Sequence, residues 1–134
     1  EVVEKSPDVL RWYRQYFRHK VLRGADDAEV RFHRADVLEL LSAGAGPWDL
    51  LVLDVDNGPE PVSGESNRRI YQVGGLLAIR ARLRPRGALL LWSGFASPPF
   101  EARARAAGFA VSVREVPLTR PGLCHHLYCC ALPG

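Results

Sequence analysis

The stretch Trp48-Asp49-Leu50-Leu51-Val52-Leu53-Asp54-Val55-Asp56-Asn57-Gly58-Pro59 decides how this chain is read. Trp48 to Val55 is an almost unbroken apolar run, interrupted only by Asp49 and Asp54. Such a run suits a strand buried on both faces, as in a parallel sheet whose crossover helices cover it on each side. The segment that follows, Asp56 to Glu65, is rich in Gly, Pro and acid. It is too polar to be buried, and loops of this kind, held between two regular elements, often carry binding groups.

Working outward from that strand, the flanking segments alternate. Upstream, Glu1 to Glu4 is a short β-type run, and Ser6-Pro7-Asp8 supplies N-cap chemistry for a helix. Val9, Leu10, Tyr13, Tyr16 and Phe17 recur at helical spacing, and the helix is expected to run to about Leu22. Gly24 to Ala28 reads as a turn, Val30 to His33 as a strand that delivers Arg34, Ala35 and Asp36 at its end, and Val37 to Leu41 as a short helix. Downstream, Asn67 to Leu83 reads as a helix with Gly74-Gly75 in its middle, a pair that points to close packing, and Pro85-Arg86-Gly87 as a turn. Ala88 to Ser93 reads as an apolar strand, Pro99 to Ala107 as a helix, and Phe109 to Pro117 and Leu123 to Leu132 as strands. Pro117 to Gly122 leaves no room for a crossover helix, so the last two strands should pair antiparallel. The fold expected is α/β, a Rossmann-like, mostly parallel sheet with an antiparallel C-terminal strand, in a single domain spanning residues 1–134.

Composition narrows the classes of function. With 134 residues, 47% of them hydrophobic, the chain suits one ordinary core. The net charge of +3 comes from scattered Arg with no basic block, which argues against a nucleic-acid partner. No run is long and apolar enough for a membrane span, and no signal-peptide pattern opens the chain, so a cytoplasmic protein without a membrane partner is expected. The three Cys all lie within Cys124-His125-His126-Leu127-Tyr128-Cys129-Cys130. An odd number with no even spacing argues against a disulfide framework. As zinc ligands these residues are divided by strand alternation, which sends Cys124, His126, Tyr128 and Cys130 to one face and His125 and Cys129 to the other. Small buried Cys in a core strand is the preferred reading, and no metal is expected.

Ligands of open α/β sheets bind outside the carboxyl ends of the strands. Those ends carry acids here: Glu4 on the first strand, Asp36 on the second, and Asp54 and Asp56 on the third. A carboxylate after the second strand of a nucleotide fold is suited to ribose hydroxyls, and one on the next strand to an adenine amino group. Taken singly, an acid at such a position is more often a helix cap or a solvated turn residue. Three in register are less easily read that way. No Gly-rich phosphate or cofactor loop stands between a strand and a helix, since neither Gly44-Ala45-Gly46 nor Gly74-Gly75 has that placement.

Val3-Glu4-Lys5-Ser6-Pro7, Arg34-Ala35-Asp36-Val37 and Trp48 to Pro59 together resemble the spermidine synthases and their spermidine synthase-like relatives, within the Rossmann-like S-adenosylmethionine-dependent methyltransferases. The likeness covers nearly the whole chain. It implies that Glu4, with Lys5 beside it, holds the ribose, that Asp36 and Val37 hold the adenine, and that Asp54 accepts a proton from the attacking amine. Asp56, Asn57 and Tyr71 would then bind the amine substrate. The implied co-substrate is decarboxylated S-adenosylmethionine, or S-adenosylmethionine itself, with no metal because the sulfonium leaving group is already activated. That family's first strand and Gly-x-Gly loop would precede Glu1, so the resemblance makes this an N-terminally truncated version of the fold. Its Asp-x-x-Asp-Pro spacing is shortened to Asp54-Val55-Asp56-Asn57, and Trp92-Ser93-Gly94 replaces an expected Gln.

Three readings are compatible with these residues. The first is aminopropyl transfer to a polyamine. The second is methyl transfer from S-adenosylmethionine, and the third is a non-catalytic module that dimerises or binds a ligand. A homodimer fits the aromatic surplus Trp12, Tyr13, Tyr16 and Phe17, although those rings equally suit packing against further chain.

Overall fold

In the computed structural model, which describes residues 1–17, 30–55, 58–60, 65–120 and 122–133, the decisive stretch forms β3, Trp48–Leu53. It pairs in parallel with β4, Leu83–Ser93. The remaining elements in chain order are β1 (Val2–Val3), α1 (Pro7–Trp12), β2 (Phe32–His33), α2 (Val37–Ser42), α3 (Glu65–Arg68), α4 (Val73–Arg80), α5 (Pro98–Ala106), β5 (Ala110–Pro117) and β6 (Cys124–Ala131). The chain divides into two compact units, Glu1–Ala43 and Gly44–Gly134. The expected turn at Gly24 to Ala28 and the end of the first helix near Leu22 lie outside the described residues.

In the first unit, β1 and β2 form a parallel ladder with Val2 opposite Phe32 and Val3 opposite His33. Ser6 caps α1, accepting from Val9 N at 3.4 Å, and Pro7 occupies the first turn, where a missing N–H costs nothing. The helix widens to π geometry over Tyr13–Phe17. Tyr13 lies on Phe32 with ring centroids 4.8 Å apart, which seats this segment on β2.

The second unit is a four-stranded sheet in the order β3-β4-β6-β5. β6 runs antiparallel to both of its neighbours, as the short 117–122 connection requires, and sits one strand in from the edge. Leu89, Leu91, Tyr128 and Cys130 point to one sheet face and are fully buried, together with Leu76 and Ile79 of α4 and Phe100 and Ala104 of α5. Phe100 makes edge-on ring contacts with both Tyr71 and Tyr128, at centroid distances of 6.4 and 5.2 Å, and so ties the helical layer to the sheet. This is a mixed α/β fold, mostly parallel with one antiparallel strand.

Three expectations need correction. β3 is not buried on both faces: Leu53 is in the core, but Leu50 and Val52 are 51% and 62% exposed. Alternation explains this, because Leu51 and Leu53 share the face covered by α4 and α5, while Leu50 and Val52 point to the other. The helix expected over residues 67–83 is three pieces, with a 3-10 turn at Arg69–Tyr71 and a break at extended Gln72. Gly75 is what permits this, since a Cβ there would press on the carbonyl oxygens of Arg69 and Ile70 in the preceding turn. Finally, Pro85-Arg86-Gly87 does turn, with Arg86 at φ 67°, but as an excursion inside β4. The ladder resumes from Trp48 opposite Leu83 to Leu50 opposite Ala88.

Candidate functional site

Two groups of residues stand at strand ends, one in each unit. In the first unit the parallel ladder ends where the Glu4 N–H donates to the His33 carbonyl at 3.0 Å. The chain turns there because the Glu4 carboxylate accepts from the Ser6 N–H at 2.6 Å. On the neighbouring strand, Asp36 caps α2, its Oδ1 accepting from Leu38 N at 2.9 Å. Its Oδ2 meets Lys5 Nζ at 3.1 Å. The backbone N–H of Leu38, opposed by desolvation and helped by the Lys5 ammonium, holds the Asp36 carboxyl below the ordinary carboxylate range. Lys5 and Asp36 are therefore brought together, beside Glu4 and at the N-terminus of α2, which begins at Val37. An ionised carboxylate with lone pairs to spare at the carboxyl end of two adjacent parallel strands is equipped to accept hydrogen bonds from amino or hydroxyl groups.

In the second unit Asp54 follows β3 directly and is exposed. Asp56 and Asn57 lie outside the described residues. Gly58 and Pro59 are both buried, with Gly58 at φ 135°. A Cβ at Gly58 would run into Ser93 Oγ, so this glycine allows its own segment to lie directly on the carboxyl end of β4. Glu60 then fixes the loop: its Oε1 pairs with Arg103 at 2.8 Å, and its Oε2 is 3.5 Å from Ser97 Oγ. Arg103 also donates to the Tyr71 carbonyl at 2.9 Å. Ser97 caps α5 by accepting from Phe100 N at 3.2 Å, and its own N–H donates to the Tyr128 hydroxyl at 2.6 Å. Tyr128 is fully buried, and burial raises its phenol above its ordinary value, so it stays neutral.

Tyr71, expected to bind substrate, is fully buried, with its ring edge-on to Phe100. The residues that hold the loop were missed by the sequence reading: Gly58, Glu60, Ser93, Ser97 and Arg103. Gly58-Pro59 and the cap signal Ser97-Pro98-Pro99 were the available signs of two of them. The partnership of Glu60 with Arg103 spans the fold and has no local signature.

No protein-family model and no curated protein sequence matches the chain. Solved structures do match its fold. Human methyltransferase-like protein 13 in complex with SAH aligns at a TM-score of 0.72 and 20% identity, over 98% of this chain and 60% of that one. A precorrin-6y C5,15-methyltransferase from Geobacter metallireducens aligns at 0.66 and 16% identity, over 98% and 65% respectively. The Burkholderia thailandensis 1,6-didemethyltoxoflavin-N1-methyltransferase, with 1,6-didemethyltoxoflavin and S-adenosylhomocysteine bound, aligns at 0.63 and 18% identity, over 98% and 60%. The chain thus spans less than two thirds of each, and it has the methyltransferase fold. None of these matches carries a mark specific to spermidine synthases. Among the described residues no helix is long and apolar enough to cross a membrane.

Proposed function

We infer that this chain is the nucleoside-binding part of an S-adenosylmethionine-dependent methyltransferase. The observation that carries the reading is the strand order β3-β4-β6-β5 with β6 reversed, in a fold matched by methyltransferases whose structures hold S-adenosylhomocysteine. Strand-end acids support it. Glu4 is assigned to the ribose hydroxyls with Lys5 at its side, and Asp36 to the adenine amino group with Val37 alongside. The helix-capping bond of Asp36 uses one lone pair of Oδ1, and its ionised carboxylate keeps further acceptor capacity for that group. Asp54 is assigned to the acceptor, as the base that takes the proton a nucleophile must lose. Its exposure at the end of β3 supports that role, and the neighbouring Asp56 and Asn57 are assigned to acceptor recognition.

A finer reading, aminopropyl transfer from decarboxylated S-adenosylmethionine to a polyamine, rests on the likeness of Trp48 to Pro59 to spermidine synthases. A carboxylate on the co-substrate requires donors that a decarboxylated one does not. Calorimetric titration of the protein in its natural length with S-adenosylhomocysteine, S-adenosylmethionine and decarboxylated S-adenosylmethionine therefore ranks the two. Preference for the first pair supports methyl transfer, preference for the last supports aminopropyl transfer, and binding of none points to a non-catalytic module. Asp54→Asn should lower turnover by ~10²–10⁴-fold and leave nucleoside affinity within about twofold. Equal loss of both would remove Asp54 from the chemistry.

A further inference from the structure

The C-terminal hairpin carries a cluster that the proposed transfer reaction does not use. Across the antiparallel β5–β6 ladder, Glu115 lies opposite His126 and Pro117 opposite Cys124. Cys124 and His126 are two residues apart on one strand and so project to the same face, and cross-strand pairing adds Glu115 to it. The result is that Glu115, Cys124 and His126 present a carboxylate oxygen, a thiol sulfur and an imidazole nitrogen, all within 4.8 Å of one another. His126 Nε2 is 3.9 Å from Cys124 Sγ and 3.9 Å from Glu115 Oε1. His126 is only 8% exposed, yet its Nδ1 has no hydrogen-bond partner among the described residues and its Nε2 has only those two long contacts. A buried imidazole this poorly satisfied is unusual, and its better-placed nitrogen points at two further ligand atoms.

We propose that Glu115, Cys124 and His126 bind a divalent transition-metal ion, with Zn²⁺ the best match. Tetrahedral Zn²⁺ at ~2.3 Å from sulfur, ~2.0–2.1 Å from nitrogen and ~2.0–2.2 Å from oxygen sets its ligand atoms ~3.3–3.7 Å apart. The two 3.9 Å contacts thus have to close by about half an ångström, and a ligand pair at the 4.8 Å limit by about one. A thiolate with an imidazole selects Zn²⁺ over Mg²⁺ or Ca²⁺, which require all-oxygen shells. Three protein ligands leave a fourth position for water or an added ligand. The ion would sit beside Ser93, the register partner of His126 at the carboxyl end of β4, and near the turn end of the hairpin, where Leu118 N donates to the Leu123 carbonyl at 3.0 Å.

Co²⁺ titration of the natural-length protein tests this by absorption. The expected result is one equivalent bound with a thiolate-to-cobalt charge-transfer band in the near ultraviolet, reversed by Zn²⁺. Cys124→Ser should abolish the band, and Glu115→Gln, a change at an exposed side chain that leaves the core intact, should weaken binding at least tenfold. Cys129→Ser, on the opposite strand face, should leave both unchanged. No saturable band in the native protein, or a band that survives Cys124→Ser, overturns the site.

Discussion

The two units of this chain differ in where their stability comes from. Gly44–Gly134 contains nearly all the fully buried side chains among the described residues, with Phe100, Tyr71, Tyr128, Leu89 and Leu91 interlocked on one sheet face. Glu1–Ala43 has Leu10 and Leu41 in its core and a ladder of two residues per strand. A two-stranded element is marginal by itself. The lesson is that the acids assigned to the nucleoside stand on the lightly packed unit, whereas the packing energy resides in the other. Core substitutions should therefore act very differently in the two. Phe100→Ala should cost ~3–5 kcal/mol of unfolding free energy in urea titration, and Phe32→Ala, a half-buried ring, less than about half of that. Equal costs would mean that the units do not differ in this way.

Neighbouring glycines in the second unit sharpen the contrast further. Gly75 is pressed against the Arg69 and Ile70 carbonyls, whereas a Cβ at Gly74 meets nothing within 4 Å. Gly75→Ala should destabilise by ~1–3 kcal/mol through overpacking. Gly74→Ala should stabilise by ~0.5–1 kcal/mol through the ordinary helix preference for Ala. Thermal melts of the two variants are expected to move in opposite directions. A shift of the same sign in both would show that the broken helix tolerates repacking.

Much of this was legible in the sequence because it is local. The periods of 2.0 and 3.6, the Ser6-Pro7-Asp8 cap and the short 117–122 connection each act within a few residues, and each located its element. What sequence alone missed depends on cross-strand register or distant packing. The exposure of Leu50 and Val52 depends on which face α4 and α5 cover, and no property of an apolar run records that. Glu115 joins Cys124 and His126 only because the β5–β6 ladder sets it opposite the histidine. The division of ligands between two faces of β6 was read correctly from alternation, but the third ligand came from the adjacent strand. At the candidate site the acids were found by position, whereas Glu60, Arg103 and Ser97 hold their loop through contacts |i−j| > 30 apart.

Asp36 joins the two descriptions of a strand-end acid, since it is both a helix cap and a proposed ligand holder. Asp36→Ala should cost ~1 kcal/mol at neutral pH through loss of the cap to α2. Its carboxyl is held below the ordinary value of 3.8, chiefly by the Leu38 N–H. The unfolded chain thus binds this proton at a higher pH than the folded one does. Its contribution is fully present above the unfolded value and is lost as pH falls through the folded one. The gap between native protein and Asp36→Ala, followed by urea titration from pH 7 downward, should narrow below about pH 4. A gap that stayed constant to the lowest pH at which the protein folds would mean that the ionised carboxylate is not what caps the helix.

The smallest effect expected lies in the partner of that acid. Lys5 is 72% exposed in its side chain, and its 3.1 Å pair with Asp36 spans solvent-accessible groups. Such pairs contribute ~0–1 kcal/mol, because water screens the attraction and the long side chain loses rotamer freedom. Lys5→Ala should change stability by no more than ~0.5 kcal/mol and remove most of the salt dependence of the Asp36 contribution. In nucleoside binding its sign is informative. If the ammonium only neutralises Asp36, removing it frees Oδ2 to accept from an adenine amino group, and affinity for S-adenosylhomocysteine should hold or rise. If Lys5 instead contacts the ligand, affinity should fall without any matching loss of stability. The two calorimetric outcomes separate a residue that occupies the acid from one that shares its ligand.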